Sequence, residues 1–112
     1  MKTSLSVIPS NQFASAEHLW FWFVSSRRIQ SGFHRQDSNA SRPCELLDIE
    51  TLVTQMFLAG YFSPDELSVL KKYGERRRAP NQYLVHENHD ASLWASAIKS
   101  LGIACRVRGW VE

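Results

Sequence analysis

The sequence predicts a mainly α fold, a single domain built as a bundle of about four helices. The chain has 112 residues, 44% of them hydrophobic, which is enough for one core and too few for two ordinary domains. Apolar residues recur at helical spacing in several segments. Start and stop signals typical of helices bracket residues 46–78, which are predicted to form a helix-turn-helix-like central pair.

The first helix is predicted to begin at a cap provided by Ser15 and to end near Gln30. Residues 1–12 are polar and contain Pro9, so we expect a flexible N-terminal arm, with the helical domain in residues 13–112. Apolar residues at helical spacing form the inward face of the helix: Leu19, Trp20, Phe23 and Val24.

Phe21 and Trp22 fall outside that inward face, so the first helix is apolar nearly all round. Such a helix is either enclosed by the rest of a small fold or contributes to an interface. The two interpretations stay open. In the second, the partner-binding residues are Trp20, Phe21 and Trp22.

Residues 31–43 are rich in serine and turn-forming residues and are predicted to form a loop that ends at Pro43. This loop is longer than the ~4–6 residues of most connections. It is therefore expected to be either mobile or a contact element.

The first helix of the central pair has acidic residues at its front, which suits the positive end of the helix dipole. Gly60 is placed to end it, because glycine readily adopts the left-handed conformation of a C-terminal cap. The predicted apolar stripe comprises Leu46, Ile49, Val53, Met56, Phe57 and Gly60.

The second helix of the pair opens with several signals close together. Ser63 and Glu66 have the spacing of a capping box, and Pro64 takes the first helical position. Phe62 and Leu67 have the spacing of a hydrophobic staple. The predicted inward residues are Leu67, Leu70 and Tyr73, with Gly74 as the stop.

A connector follows, Glu75–Tyr83, in which Pro80 prevents a continuous helix. The fourth helix is predicted over about Asn88–Leu101, with Gly102 as its stop. Its predicted inward residues are Leu93, Trp94, Ala97, Ile98 and Leu101.

The tail, Ile103–Val111, alternates between apolar and polar residues for a few positions, which favours an extended segment. A lone strand needs a partner, such as Leu5–Ile8 or another chain. A short final helix is the other interpretation, and the sequence does not separate the two.

The formal net charge is only +2, but the charges are unevenly distributed. Residues 71–78 and 27–42 are both basic, whereas carboxylates collect between Glu45 and Glu50. A nucleic-acid contact is one hypothesis, since clustered cations bind phosphates. Its binding residues would be Lys71, Lys72, Arg76, Arg77, Arg78, Arg27 and Arg28.

Two features bear on that hypothesis. Asp65 and Glu66 lie at the start of the second central helix, where a recognition helix usually presents its base-contacting residues, and carboxylates there disfavour DNA. An ordinary helical hairpin with a solvated basic end is the alternative interpretation.

The sequence gives little sign of catalysis or of a metal. His86 and His89 lack the convergent ligands of a zinc site, and we interpret them as part of a polar turn. No catalytic motif or glycine-rich phosphate loop is present, so we expect a non-enzyme with no cofactor, metal or small-molecule substrate.

Cys44 and Cys105 match no redox or zinc spacing. The longest apolar run near the N-terminus, Leu19–Val24, has six residues, well below the ~20 needed to span a bilayer. We expect no membrane association and a cytoplasmic protein with reduced thiols.

Two resemblances accompany these patterns. Residues 42–46 (RPCEL), residues 67–77 (LSVLKKYGERR) and Leu93-Trp94 resemble a group of small uncharacterised bacterial proteins, over most of residues 19–112. That resemblance implies a bacterial protein and no particular activity.

Residues 64–70 (PDELSVL), followed by Lys72-Tyr73-Gly74, are similar to the opening helix of sigma-factor region-four and phage antiterminator domains. This second resemblance implies contact with DNA or the transcription machinery. Those domains continue into a second helix pair that carries the reading helix, whereas here Pro80 and a polar connector intervene.

The leading functional hypothesis from the sequence is a non-enzymatic bacterial regulatory or adaptor protein. It would contact nucleic acid or the transcription machinery through the basic connector. The alternative is a protein-interaction module, homodimers included, that uses the aromatic first helix.

Overall fold

The computed structural model of the chain describes residues 12–31 and 43–112. In the first helix it describes the side chains only as far as Arg27. The predicted mainly α fold of four helices is confirmed in these ranges. The helices are α1 (Ala16–Ser31), α2 (Leu46–Leu58), α3 (Pro64–Arg76) and α4 (Asn88–Val107), and a short 3-10 helix, Val85–Glu87, precedes α4.

The core is formed where α1, α3 and α4 pack on one another, while α2 packs chiefly on α1. The buried apolar residues include Leu19, Trp20 and Phe23 of α1, Leu70 and Tyr73 of α3, and Trp94, Ala97 and Leu101 of α4. These predicted inward residues are confirmed. None of the helices in the described ranges is both long and apolar enough to span a bilayer.

The N-terminal signals of α1 and α3 act as predicted. Ser15 Oγ accepts a hydrogen bond from the backbone N–H of His18 at 3.1 Å. Ser63 Oγ accepts from Glu66 N at 3.1 Å, and Glu66 Oε1 accepts from Ser63 N at 2.8 Å, which completes the capping box.

The inward face of α2 differs from the predicted stripe. Leu52, which lies outside that stripe, is buried, whereas Phe57 is 37% exposed. The helix is therefore rotated so that its core face centres on Ile49, Leu52 and Met56. The prediction that Phe57 faces the core is wrong.

Three helices end in the same way, in a Schellman motif whose C′ residue is left-handed. At the end of α2 this residue is Gly60, with φ +91°, as predicted. In α4 it is Gly109 (φ +77°), and in α3 it is Arg77 (φ 59°). At α3 the N–H of Arg77 donates to Gly74 O and that of Arg78 to Tyr73 O.

The predicted stops at Gly74 and Gly102 are therefore wrong, because both glycines are buried inside helices. A Cβ on Gly74 would lie 2.8 Å from Trp20 Nε1 and from Val24 Cγ2, so this glycine allows α1 to approach α3 closely. Gly102 faces Ala16 at the start of α1.

The tail is helical as far as Val107, so the extended interpretation of residues 103–107 is wrong. The two ends of the described chain meet instead in an isolated parallel bridge between Phe13 and Val111. Phe13 N donates to Trp110 O and Glu112 N to Phe13 O, both at 3.0 Å. The proposed strand Leu5–Ile8, residues 1–11 of the arm and residues 32–42 of the loop lie outside the described ranges.

Candidate binding surfaces: a charged cluster and an apolar groove

The basic residues at the end of α3 are organised around Tyr73, a fully buried side chain. Tyr73 Oη donates to Asp90 Oδ2 at 2.9 Å, and Lys72 Nζ donates to the same oxygen at 3.0 Å. Both contacts lower the pKa of Asp90, the lysine contact more strongly. We call the set Lys72, Tyr73, Arg76, Arg78, Glu87 and Asp90 the Tyr73 cluster.

Glu87 is the most buried charge of the cluster, at 2% exposure. Arg78 Nη1 and Nη2 donate to its two oxygens, and the backbone N–H of Asn81 donates to Oε1 at 2.7 Å. Arg76 Nη1 lies farther off, 3.9 Å from Glu87 Oε2. The hydrogen bonds from Arg78, and then that from Asn81, lower the pKa of Glu87 to about 2.

The cations also lie over the Tyr73 ring. Lys72 Nζ and Arg76 Cζ are 5.3 Å from the ring centroid, and Arg78 Cζ is 5.6 Å from it, all within cation–π range. The sequence predicted these three residues as phosphate contacts, with a solvated basic end as the alternative. The structure assigns them to ion pairs and ring contacts that join α3 to α4.

The other predicted nucleic-acid residues are placed differently. Lys71 and Arg77 are exposed, and neither forms an ion pair within the residues that the structure describes. Arg27 Nη2 lies 3.6 Å from Glu50 Oε2 on α2, with both side chains about half exposed. The side chain of Arg28 lies outside the described part of α1.

The predicted partner-binding aromatics of α1 are enclosed rather than displayed. Trp20 is 5% exposed and donates through Nε1 to Leu70 O at 2.8 Å, so it belongs to the core. Phe21 stacks on Trp94, with ring centroids 5.7 Å apart, and Trp22 packs against Phe13 at 5.2 Å. Phe21 and Trp22 are half-buried, which leaves little apolar surface for a partner on the part of α1 whose side chains the structure describes.

An apolar groove that the sequence did not reveal lies between α2 and the C-terminal half of α4. Its volume is about 440 Å³. Leu52 and Met56 are buried in its floor, while Tyr61 (65% exposed) and Ile103 (53% exposed) stand at its sides. The described residues that line it are Leu52, Gln55, Met56, Ala59, Tyr61, Ser100, Ile103, Ala104 and Arg108.

The apolar surface continues past the groove along α4. Val107, 79% exposed, follows Ile103 by four residues and therefore lies on the same face of the helix. Exposed aliphatic side chains next to a partly buried apolar groove are a common feature of interaction sites.

Arg108 is the one charged residue among the described residues that line this groove. Its Nη1 donates to Ala104 O at 3.1 Å, and its guanidinium lies 5.7 Å from the centroid of the Trp110 ring. No carboxylate pairs with it in the part of the chain described here. The guanidinium is thus held in place while most of its five N–H donors remain available.

The chain matches no protein-family model, no curated protein and no solved structure.

His86 and His89 both lie beside residues of the Tyr73 cluster. His86 is exposed, with Nε2 3.9 Å from Glu87 Oε2, and His89 lies near Lys72 and Asp90 at the start of α4. Across residues 12–31 and 43–112, no three histidine, cysteine or acidic side chains come together as they would around a metal ion.

A helical interpretation of the tail would have indicated, from the sequence, the apolar face of α4 that forms one side of the groove. Ser100, Ile103, Ala104 and Val107 have helical spacing and share one face of α4. The short alternation after Gly102 instead favoured a strand, and that interpretation placed Ile103 on the same side as the buried Cys105.

Proposed function

We propose that the protein is a non-enzymatic adaptor that binds a partner protein through the apolar groove between α2 and α4. The observation that carries this proposal is the exposure of Ile103 and Tyr61 on either side of a buried apolar floor. Burying that surface against a partner would be favourable at roughly 25 cal/mol per Å² of apolar area removed from water, before the costs of association.

We therefore propose the groove, and not the aromatic helix α1, as the interaction surface. The aromatics of α1 contribute to the core, and the exposed large apolar residues of the described ranges lie on or just after α2, on α4 and in the connector before α4 instead. The organisation of the Tyr73 cluster supports the same choice, because Arg78, Lys72 and, at a longer distance, Arg76 already have carboxylate partners within the fold.

Capture experiments with matched variants test the proposal. Wild type, Ile103→Asp and Val85→Asp would be immobilised and exposed to an extract of the organism that encodes the chain, and bound proteins would be quantified by mass spectrometry. Val85 is the control, because it is 94% exposed and apolar but lies before α4, outside the groove lining. Circular dichroism would show whether both variants stay folded.

The groove should bind a protein that wild type and Val85→Asp retain and that Ile103→Asp loses. A charge placed on the apolar side of the groove has to be desolvated on binding, which is costly when it is left unpaired. If no captured protein depends on Ile103, the proposal is wrong.

Contact with nucleic-acid phosphates is a second candidate function, favoured by Lys71 and Arg77. Both are exposed and without an ion pair in the described ranges, and Lys72, Arg76 and Arg78 keep 45–48% of their side-chain surface exposed. Base reading by α3 gains no support, because Asp65 and Glu66 occupy its N-terminus and Glu66 is held in the capping box.

Fluorescence anisotropy with a labelled duplex and a labelled single strand tests this candidate. The double variant Lys71→Ala, Arg77→Gly should weaken binding and reduce its salt dependence. The control Lys99→Ala, in the C-terminal half of α4, should change neither. If neither nucleic acid binds at low salt, phosphate contact is excluded. If both variants bind as wild type does, contact through Lys71 and Arg77 is excluded.

A further inference from the structure

The groove that carries the proposed function also indicates the class of its partner. Resting on that function, we infer that the groove binds an amphipathic helix of another protein, with a carboxylate beside the apolar face of that helix to pair with Arg108.

The shape of the surface favours a helix over a small ligand. The groove runs between two helices, α2 and α4, and its volume of about 440 Å³ accommodates several apolar side chains. The apolar strip continues along α4 from Ile103 to Val107, which extends the contact by about one helical turn, or ~5.4 Å. Helices that bind in grooves place apolar residues at i, i+3 or i+4, and i+7, a spacing that matches such a strip.

The positive charge of Arg108, at the rim of the groove, determines which of these helices would bind best. Arg108 is fixed by Ala104 O and the Trp110 ring, so little side-chain freedom remains to be lost when it binds. A guanidinium with free donors prefers a carboxylate, to which it can donate two parallel hydrogen bonds. Because none of the described residues that line the groove is acidic, we infer that the carboxylate comes from the partner.

The same charge argues against a second copy of the chain. A two-fold contact through this face would bring two copies of the same lining together. Among the described residues each lining supplies Arg108 and no carboxylate, so neither arginine would meet a partner of opposite charge in the other copy's lining.

A display selection with a library of helical peptides tests the inference. The library would present amphipathic helices of about 18 residues, or five turns, with random apolar and flanking positions. It would be selected on wild type after removal of peptides that bind Ile103→Asp. We expect the selected helices to carry apolar residues at helical spacing and an enriched Asp or Glu beside that face.

Charge reversal then assigns the carboxylate to Arg108. Arg108→Glu should weaken the selected acidic helices at least about tenfold, and replacing the enriched acid in the peptide with Lys should restore binding to Arg108→Glu. A variant with a purely structural defect would not be rescued in this way. Arg106→Glu is the matched control, because Arg106 lies two residues before Arg108, in the last turn of α4, and outside the groove lining.

The remaining outcomes separate this inference from the proposed function. The selected helices could depend on Ile103 for binding, yet show no acidic preference and bind Arg108→Glu normally. That result would overturn the inference and leave the proposed function intact. A selection that returns no binder dependent on Ile103 would overturn both. Sedimentation showing a dimer that Ile103→Asp dissolves would assign the groove to self-association and overturn the inference.

Discussion

Arg78 donates hydrogen bonds to both oxygens of the Glu87 carboxylate, with Nη1 3.0 Å from Oε1 and Nη2 2.7 Å from Oε2. The contact joins the residue that follows the C-cap of α3 to the residue that precedes α4. Between them the chain passes through Pro80, and the N–H of Asn81 donates to the same carboxylate. The pair therefore holds the connector in place and, through it, the orientation of α4 relative to α3.

Arg78→Ala should lower the urea midpoint of unfolding, because it leaves the buried carboxylate of Glu87 without its main partner. Lys71→Ala removes an equal charge from an exposed position on α3 and should change the midpoint little. Equal midpoints for the two variants would show that the Arg78–Glu87 contact contributes nothing to stability.

The stability of the fold should decrease between about pH 5 and pH 2. The pKa of Glu87 is about 2 in the folded chain, below the ~4.3 of a free glutamate, so its contribution is present above the unfolded pKa and is lost as the pH falls through the folded pKa. The pKa values of Asp90 and Glu66 are also lowered and act in the same direction. Urea unfolding from pH 7 to pH 2 measures the loss.

Glu87→Gln gives the matched measurement for that pH dependence. The variant is expected to be less stable at pH 7 and to lose less stability on acidification, because the titrating group is gone. Parallel curves for wild type and variant would contradict the assignment to Glu87.

Arg77→Gly should stabilise the protein by about 0.5–1 kcal/mol. Arg77 adopts φ 59°, where an L-residue is disfavoured by about 1–2 kcal/mol, and the larger backbone entropy of glycine in the unfolded chain offsets about 0.5–1 kcal/mol of that gain. Arg77→Ala removes the same charge and keeps the unfavourable conformation, so it should bring no such gain. Chemical denaturation of both variants separates the backbone effect from the charge effect.

Two buried glycines should respond to alanine in opposite directions. Gly74→Ala places a methyl group 2.8 Å from Trp20 and Val24, and overpacking of this kind costs about 1–3 kcal/mol, more than the ~1 kcal/mol gained in helix propensity. Gly102→Ala meets Ala16 Cβ at 3.5 Å, an ordinary contact, and should gain about 0.5–1 kcal/mol. Thermal unfolding of the two variants measures the signs, and a gain for Gly74→Ala would contradict the close approach of α1.

The helix starts and most of the core could be predicted from the sequence because their signals are local. Ser63, Glu66 and Pro64 act within one turn of each other, and the apolar faces of α1 and α4 follow from helical spacing. Gly60 was predictable as the stop of α2 because its role is local as well: no other helix approaches it.

The remaining features depend on where distant segments meet. Gly74 looks like a stop, but its role is set by Trp20, more than fifty residues earlier, and the actual left-handed residue is Arg77. The burial of Glu87 follows from its contacts with Arg78 and Asn81, which no spacing rule indicates. The groove depends on the separation of α2 from α4, which is determined by how each packs on α1.

Crosslinking from position 103 tests the central claim, that the groove binds a partner helix, most directly. A photoreactive phenylalanine analogue would replace Ile103 or, as a control, Val85, and the crosslinked peptides would be sequenced by mass spectrometry. We expect position 103 to crosslink to an amphipathic helix of a specific partner, with an acidic residue flanking its apolar face, and position 85 to give no such product. Absence of a specific product at position 103, or the same products at both positions, would contradict the account.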